Sequence, residues 1–138
     1  MQVIWQPHAG KCFAKLERHF GVTQSFVQLS GAPAVVCAAA PTDMHDPQAI
    51  PAPEHIHAFL IDPARGFTFH RGTWHSLDRF LLAPPGGTFL IVNTDPNPTQ
   101  IVDYQASRSV TYSDLATEAH PTTAALQKTY GLTFELTL

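Results

Sequence analysis

The sequence predicts an all-β fold of the sandwich or barrel kind, on three observations. Between Val3 and Tyr104 the apolar segments are short and rich in Val, Ile, Phe and Thr, and Gly or Pro interrupts them roughly every ten residues, the rhythm of small strands joined by turns. The chain carries 12 Pro and 8 Gly among 138 residues, a density of breakers that long helices do not tolerate. Apolar residues make up 44% and charged ones only 14%, well under the usual ~25% charged, so the chain buries much of itself rather than staying disordered.

Taken in order, strands are expected near Val3–Trp5, Phe13–Arg18, Gln24–Leu29, Ala34–Ala39, Ile56–Ile61, Phe67–His70, Phe80–Leu82, Thr88–Asn93 and Ile101–Tyr104. The proline-rich stretch Pro41 to Pro53 reads as a loop within the domain, because patterned segments flank it closely. Ser113 or Asp114 can cap a short turn. After Pro121, the stretch Thr122 to Tyr130 reads as a short helix closed by Gly131, with Leu126 and Tyr130 four apart on its inner face. Leu132, Phe134, Leu136 and Leu138 then alternate on one face, as a terminal strand does. A single domain over 1–138 is expected, with the helix and last strand in 113–138.

Charge and composition narrow the function. With 8 Lys+Arg against 11 Asp+Glu the formal charge is −3, and no basic run exists to neutralise a phosphate backbone or an anionic lipid surface, so neither nucleic acid nor membrane is an expected partner. The apolar run Gly31 to Ala40 is about half the ~20 residues a spanning helix needs and contains Pro33. No basic and apolar leader follows Met1-Gln2-Val3, so a cytoplasmic location is expected. Cys12 and Cys37 lie in no CxxC pair and read as small buried apolar groups. Histidine is the abundant chemical resource, with 8 in the chain.

On a strand every second side chain shares a face, so Glu17 and His19 point the same way, and a following strand can bring Gln24 beside them. The spacing Glu17-x-His19-x4-Gln24-x6-Gly31 resembles the first motif of cupins, in which two histidines and a glutamate hold a metal inside a small barrel. Gly72-x2-His75-x3-Arg79 resembles the second motif, with Arg79 in place of its asparagine. Glu17, His19, Gln24 and His75 are therefore the expected metal ligands, a set of a carboxylate, two imidazoles and an amide oxygen that suits Ni²⁺, Mn²⁺, Fe²⁺ or Zn²⁺.

A fuller resemblance is carried by Leu16-Glu17-Arg18-His19, Thr23-Gln24-x-Phe26, His57-Ala58-Phe59-Leu60, Gly66 to His75 with its His-Arg-Gly-Thr-Trp-His block, and Phe89-Leu90-Ile91-Val92. These follow one another as they do in the ureidoglycolate lyase family, over roughly residues 15 to 104. The chain departs from that pattern at Ser76-Leu77-Asp78 and at Asn93, and it begins a short distance before the Leu-Glu-Arg-His block. The resemblance implies a cupin-type jelly-roll β-barrel, here followed by the short C-terminal helical segment. It also implies a homodimer, a divalent metal, and a carbon–nitrogen lyase that cleaves ureidoglycolate to glyoxylate and urea in purine catabolism.

That reaction asks for a base at the hydroxyl and an acid at the departing urea nitrogen, tasks suited to histidine near neutral pH. His75, His19, His70 and Glu17 are the expected catalytic groups. Arg71 and Arg18 are the expected cations for the substrate carboxylate, with Trp74 and Phe26 packing against the substrate. Asp43, His45 and Asp46 read as loop-solvating groups, and His55 and His57 as surface residues. Two other readings of the same residues are a non-catalytic cupin that binds a small carboxylate as a sensor or accessory protein, and a metal-dependent dioxygenase, which the lack of a three-histidine set disfavours.

Overall fold

The computed structural model describes residues 1–137. Its elements are strands throughout, apart from one 3-10 turn at Pro53–His55. A four-stranded antiparallel sheet has the order β1 (Gln2–Pro7), β10 (Gly86–Val92), β4 (Gln24–Gly31) and β7 (Phe67–Phe69). A larger antiparallel sheet runs β13 (Thr122–Ala125), β12 (Arg108–Tyr112), β11 (Thr99–Asp103), β3 (Lys15–His19), β8 (Trp74–Ser76), β5 (Ala34–Ala39) and β6 (His57–Ile61). β9 (Phe80–Leu81) also pairs with β5, and β14 (Phe134–Glu135) pairs with β2 (Cys12–Phe13) as a separate ribbon. The antiparallel sheets suit the expected jelly-roll; among the described residues their pairings leave two sheets and a ribbon rather than one hydrogen-bonded closed barrel.

Period-two alternation sorts side chains between two interiors. Ala34 and Val36 of β5 pack with Ile61, Leu81 and Phe89, flanked by Ile4, Phe67 and Phe69, in the space between the sheets. Val35 and Cys37 point the other way and meet Phe80 and Leu136, while Leu16, Ala39, Trp74, Val102 and Tyr104 form a core covered by Ile50, Tyr130 and Phe134. The large sheet is thus clothed on its outer face by the C-terminal segment and by the proline-rich loop.

That loop is tied down by side chains from the sheet below it. Gln100 Nε2 donates to the Pro47 carbonyl at 2.8 Å, Tyr104 Oη to the Pro51 carbonyl at 2.7 Å, and Trp74 Nε1 to Thr42 Oγ1 at 2.9 Å. Asp43 and Asp46 accept backbone N–H bonds from residues two ahead, the turn-making use of short carboxylates rather than a metal cluster.

Two motif glycines have local causes. Gly31 sits at φ +103°, where a Cβ would press on the Gly86 carbonyl and the Gly87 Cα of the neighbouring β10. Gly72 sits at φ +82° against Met44 Sδ, and its N–H donates to the His19 carbonyl at 2.8 Å, fixing the turn that feeds β8 alongside β3.

The C-terminal region corrects the sequence expectation. Thr122 to Tyr130 is not a helix: Thr122–Ala125 is a strand that pairs with Arg108–Thr111, and Leu126 N–H donates to the Ser107 carbonyl. A nine-residue stretch is too short to hold a helix by itself, and the β-branched Thr122 and Thr123 favour the open edge that β12 offers. Leu126 and Tyr130 still turn inward, Leu126 to 7% exposure and Tyr130 onto Tyr104, by way of the strand and its following turn. The terminal strand is shortened to Phe134–Glu135, and Leu138 lies outside the described residues. Two short strands, β8 and β12, were not expected. Cys12 is exposed rather than buried, while Cys37 is buried as expected.

Candidate active site

Strand parity on β3 decides which residues meet. Glu17 and His19 point between the sheets, and Leu16 and Arg18 point to the outer core. Register then places His75 of β8 opposite Glu17, while β4 starts with Gln24 beside Phe69 of β7. The result is a buried cluster. His19 Nε2 lies 3.2 Å from His75 Nε2 and 3.2 Å from Gln24 Oε1, and Glu17 Oε1 lies 3.8 Å from His19 Nε2 and 3.9 Å from His75 Nδ1. Phe69 stacks flat on the His75 ring at 4.4 Å.

The outer hydrogen bonds bear on both imidazole tautomers. His75 Nδ1 faces the Ser76 carbonyl at 3.1 Å, which can only accept, so Nδ1 carries the proton. Thr99 Oγ1 lies 3.0 Å from the Asn97 carbonyl and 2.8 Å from His19 Nδ1; with Thr99 donating to the carbonyl, His19 Nδ1 donates to Thr99. In that arrangement both Nε2 atoms present lone pairs to each other, with the Gln24 oxygen as a third. Burial holds both rings neutral, pushing His75 down to about 3 and His19 below its ordinary value. A proton therefore does not relieve the crowding of lone pairs, and a metal cation would: the donor chemistry fits a divalent ion, and Glu17, His19 and His75 offer ligand atoms all within 4.8 Å of one another. Burial also pushes the Glu17 carboxyl up to about 7, against the pull of Arg79.

A pocket of about 410 Å³ opens beside the cluster, lined by Glu17, Gln24 and Arg79 together with Asn93, Asp95 and Asn97. A larger, apolar hollow of about 450 Å³ lies between β6 and β7, away from the ligand atoms, and includes His70 and Phe59.

The structure brings together Glu17, His19, Gln24 and His75, and it places the other expected site residues elsewhere. Arg18, fully buried, faces the outer core, where it stacks on Trp74 at 4.5 Å and Phe20 at 4.9 Å. Its guanidinium donates to Gln100 Oε1 at 2.7 and 3.0 Å and to the Thr42, Asp43 and Asp46 region of the proline-rich loop. Arg18 and Trp74 thus cannot reach a substrate between the sheets, because each sits one residue out of phase with an inward neighbour. His70 and Arg71 are exposed on the turn after β7, His70 in the apolar hollow and Arg71 beside Phe20 and Met44. Phe26 is interior but stacks on Phe67 at 5.1 Å and lies under Arg79, as part of the core behind the pocket.

Arg79, on the pocket wall, is a residue that sequence reasoning did not place at the site. Its signal was there: an arginine at the second motif's asparagine position, directly before the buried Phe80-Leu81.

Fold and site define a class first: an antiparallel β protein that carries a two-histidine, one-carboxylate cluster between its sheets, beside a small polar pocket. A family model described as "Ureidoglycolate lyase" matches residues 9–113, and the chain belongs to that family. It is 34% identical over 80 residues to the ureidoglycolate lyase of Stutzerimonas stutzeri, covering 53% of this chain and 44% of that protein. It is 38% identical over 60 residues to those of Azotobacter vinelandii and Pseudomonas aeruginosa, covering 44% of this chain and 32% of each. The chain thus spans less than half the length of these relatives. Among the described residues no helix is long and apolar enough to cross a membrane.

Proposed function

We propose that this chain is a lyase of the ureidoglycolate type, acting in purine catabolism on ureidoglycolate or a closely similar carboxylate carbinolamine and releasing glyoxylate and urea. The observation that carries the reading is the convergence of His19 Nε2, His75 Nε2 and Gln24 Oε1 beside a pocket whose wall includes Glu17. In the reaction the hydroxyl loses its proton, the C–O bond becomes C=O, and the electrons of the C–N bond leave with the urea nitrogen, which takes up a proton. Glu17 is the one member of the ligand-bearing triad that also lines the pocket, so it is assigned the transfer of that proton from oxygen to nitrogen.

His19, His75 and Gln24 are assigned to hold a divalent metal, which when bound polarises the substrate's oxygens and lowers the hydroxyl pKa. Phe69, stacked on His75, keeps water from the far side of the ring. One cytoplasmic domain and a homodimer complete the proposal. Its pairing face is the outer side of the small sheet, where Val3, Trp5, Val27, Leu29 and Val92 are 40–63% exposed on neighbouring strands.

The test is release of urea and glyoxylate from ureidoglycolate by the purified chain, with metal content measured alongside. His75→Ala should abolish turnover while the protein melts cooperatively. Full activity in that variant would remove the histidine pair from the mechanism.

A further inference from the structure

The chain buries two arginines, and they are served very differently. Arg18 is surrounded by acceptors from Gln100, Thr42, Asp43 and Asp46. Arg79 is 7% exposed, yet donates one hydrogen bond, from Nη2 to Gln6 Oε1 at 3.2 Å, and its Nε is buried with no partner. Among the described residues no carboxylate comes within ion-pairing distance of it. The rings of Phe26 and Phe89, at 4.9 and 5.5 Å, support its face but accept none of its remaining N–H groups. A guanidinium presents five donors in a fixed fork, and here the Nε–H is buried with no acceptor, which is costly unless something else accepts it. This one forms part of the wall of the pocket that Glu17 and Gln24 also line.

We propose that Arg79 is the receptor for the carboxylate of a small 2-hydroxy or 2-oxo acid held in this pocket; the naming of that acid rests on the lyase reading above. A carboxylate matches the fork with two parallel hydrogen bonds, the direct contact that Asp78 and Glu17, which act on Arg79 only at longer range, do not make. Bound there, a substrate would present the carbon next to its carboxylate to the Glu17 side of the same wall. The arginine stands where the cupin motif has asparagine, so this anchor belongs to this chain's own residues.

The experiment titrates glyoxylate, and glycolaldehyde as its uncharged counterpart, into the wild-type protein, Arg79→Gln, Arg79→Lys and the exposed control Arg65→Gln at equal metal content. Glyoxylate should bind Arg79→Gln about 10- to 100-fold more weakly, with glycolaldehyde unchanged, Arg79→Lys between the two, and Arg65→Gln like wild type. Arg79→Gln should melt no lower than wild type, since it relieves an under-served charge; a structural role predicts a lower melt. Should Arg79→Gln not fold, Arg79→Lys and the glyoxylate-induced rise in wild-type melting carry the test. Equal glyoxylate affinity in wild type and variant, or an equal loss for glycolaldehyde, overturns the proposal. Arg79-dependent glyoxylate binding without urea release from ureidoglycolate leaves the receptor standing and removes the lyase reading. Urea release at an unchanged KM in Arg79→Gln does the reverse.

Discussion

His19 and His75 face each other across 3.2 Å through their Nε2 atoms, with the Nδ1 of each ring turned outward, toward Thr99 Oγ1 and the Ser76 carbonyl. Two bare imine nitrogens repel at that distance unless a cation lies between them. The sequence separation of 56 residues makes this a product of the fold, since only the β3–β8 pairing brings the rings together. The outer hydrogen bonds therefore matter as much as the ligands, because they decide which nitrogen is available.

Thr99→Val tests that dependence. Valine keeps the size and β-branching of threonine but removes the oxygen that accepts the His19 Nδ1 proton, letting the ring turn or shift its proton to Nε2. Metal affinity should fall about 10- to 100-fold, read by competition with a coloured chelator, while the sheet stays intact. An unchanged affinity would show that Thr99 does not set the tautomer.

Arg18→Met separates a structural arginine from a substrate-binding one. Its guanidinium ties Gln100 to the proline-rich loop and lies on Trp74. Methionine fills much of the space but leaves the carbonyls of Asp43 and Asp46 and the Gln100 oxygen without their donor. Destabilisation of about 3 kcal/mol is expected in urea unfolding, in keeping with loss of one partner from a buried charged network. The KM of the folded fraction should not move. A raised KM with wild-type stability would return Arg18 to the substrate site.

The contrast between Arg18, packed in the outer core, and Arg79, on the pocket wall, shows what a one-dimensional reading can and cannot resolve. Alternation along Lys15–His19 already separates Glu17 and His19 from Leu16 and Arg18, so the inward pair was legible from parity alone. The bounds of β5 were legible too, and the glycines at 31 and 72 marked places where no side chain fits. What parity cannot say is which face of a strand looks onto substrate and which onto another covered core; here both faces of the large sheet are buried, the outer one by a loop and the C-terminal segment. Arg18 lies on the face that looks onto the covered outer core, against Trp74. Arg79 precedes a two-residue strand whose pairing depends on β5, a partner more than 40 residues earlier in the chain, so its motif position marked the residue while its burial came from that long-range pairing. The three-residue β8 escaped for the same reason. The false helix has the opposite cause: its Pro121 and Gly131 are sound local signals, overruled by the free edge of β12.

Glu17→Gln should change how stability depends on pH in protein stripped of metal. Burial raises the Glu17 carboxyl from 4.5 to about 7. Below 4.5 the folded and unfolded chains both hold the proton, and between 4.5 and about 7 only the folded chain does. By linkage the folded state therefore loses stability as pH rises through that window, by about 3 kcal/mol in total. His75 acts with the opposite sign: its pKa falls from 6.5 to about 3 on folding, so stability drops as pH decreases through that range. In the wild type the two slopes cancel where the windows overlap, which hides both. Glutamine removes only the Glu17 slope, so unfolding free energies measured from pH 4.5 to 7.5 should diverge, with the variant gaining on wild type as pH rises. Parallel curves would mean that the Glu17 carboxyl titrates at its ordinary value and is not enclosed as described.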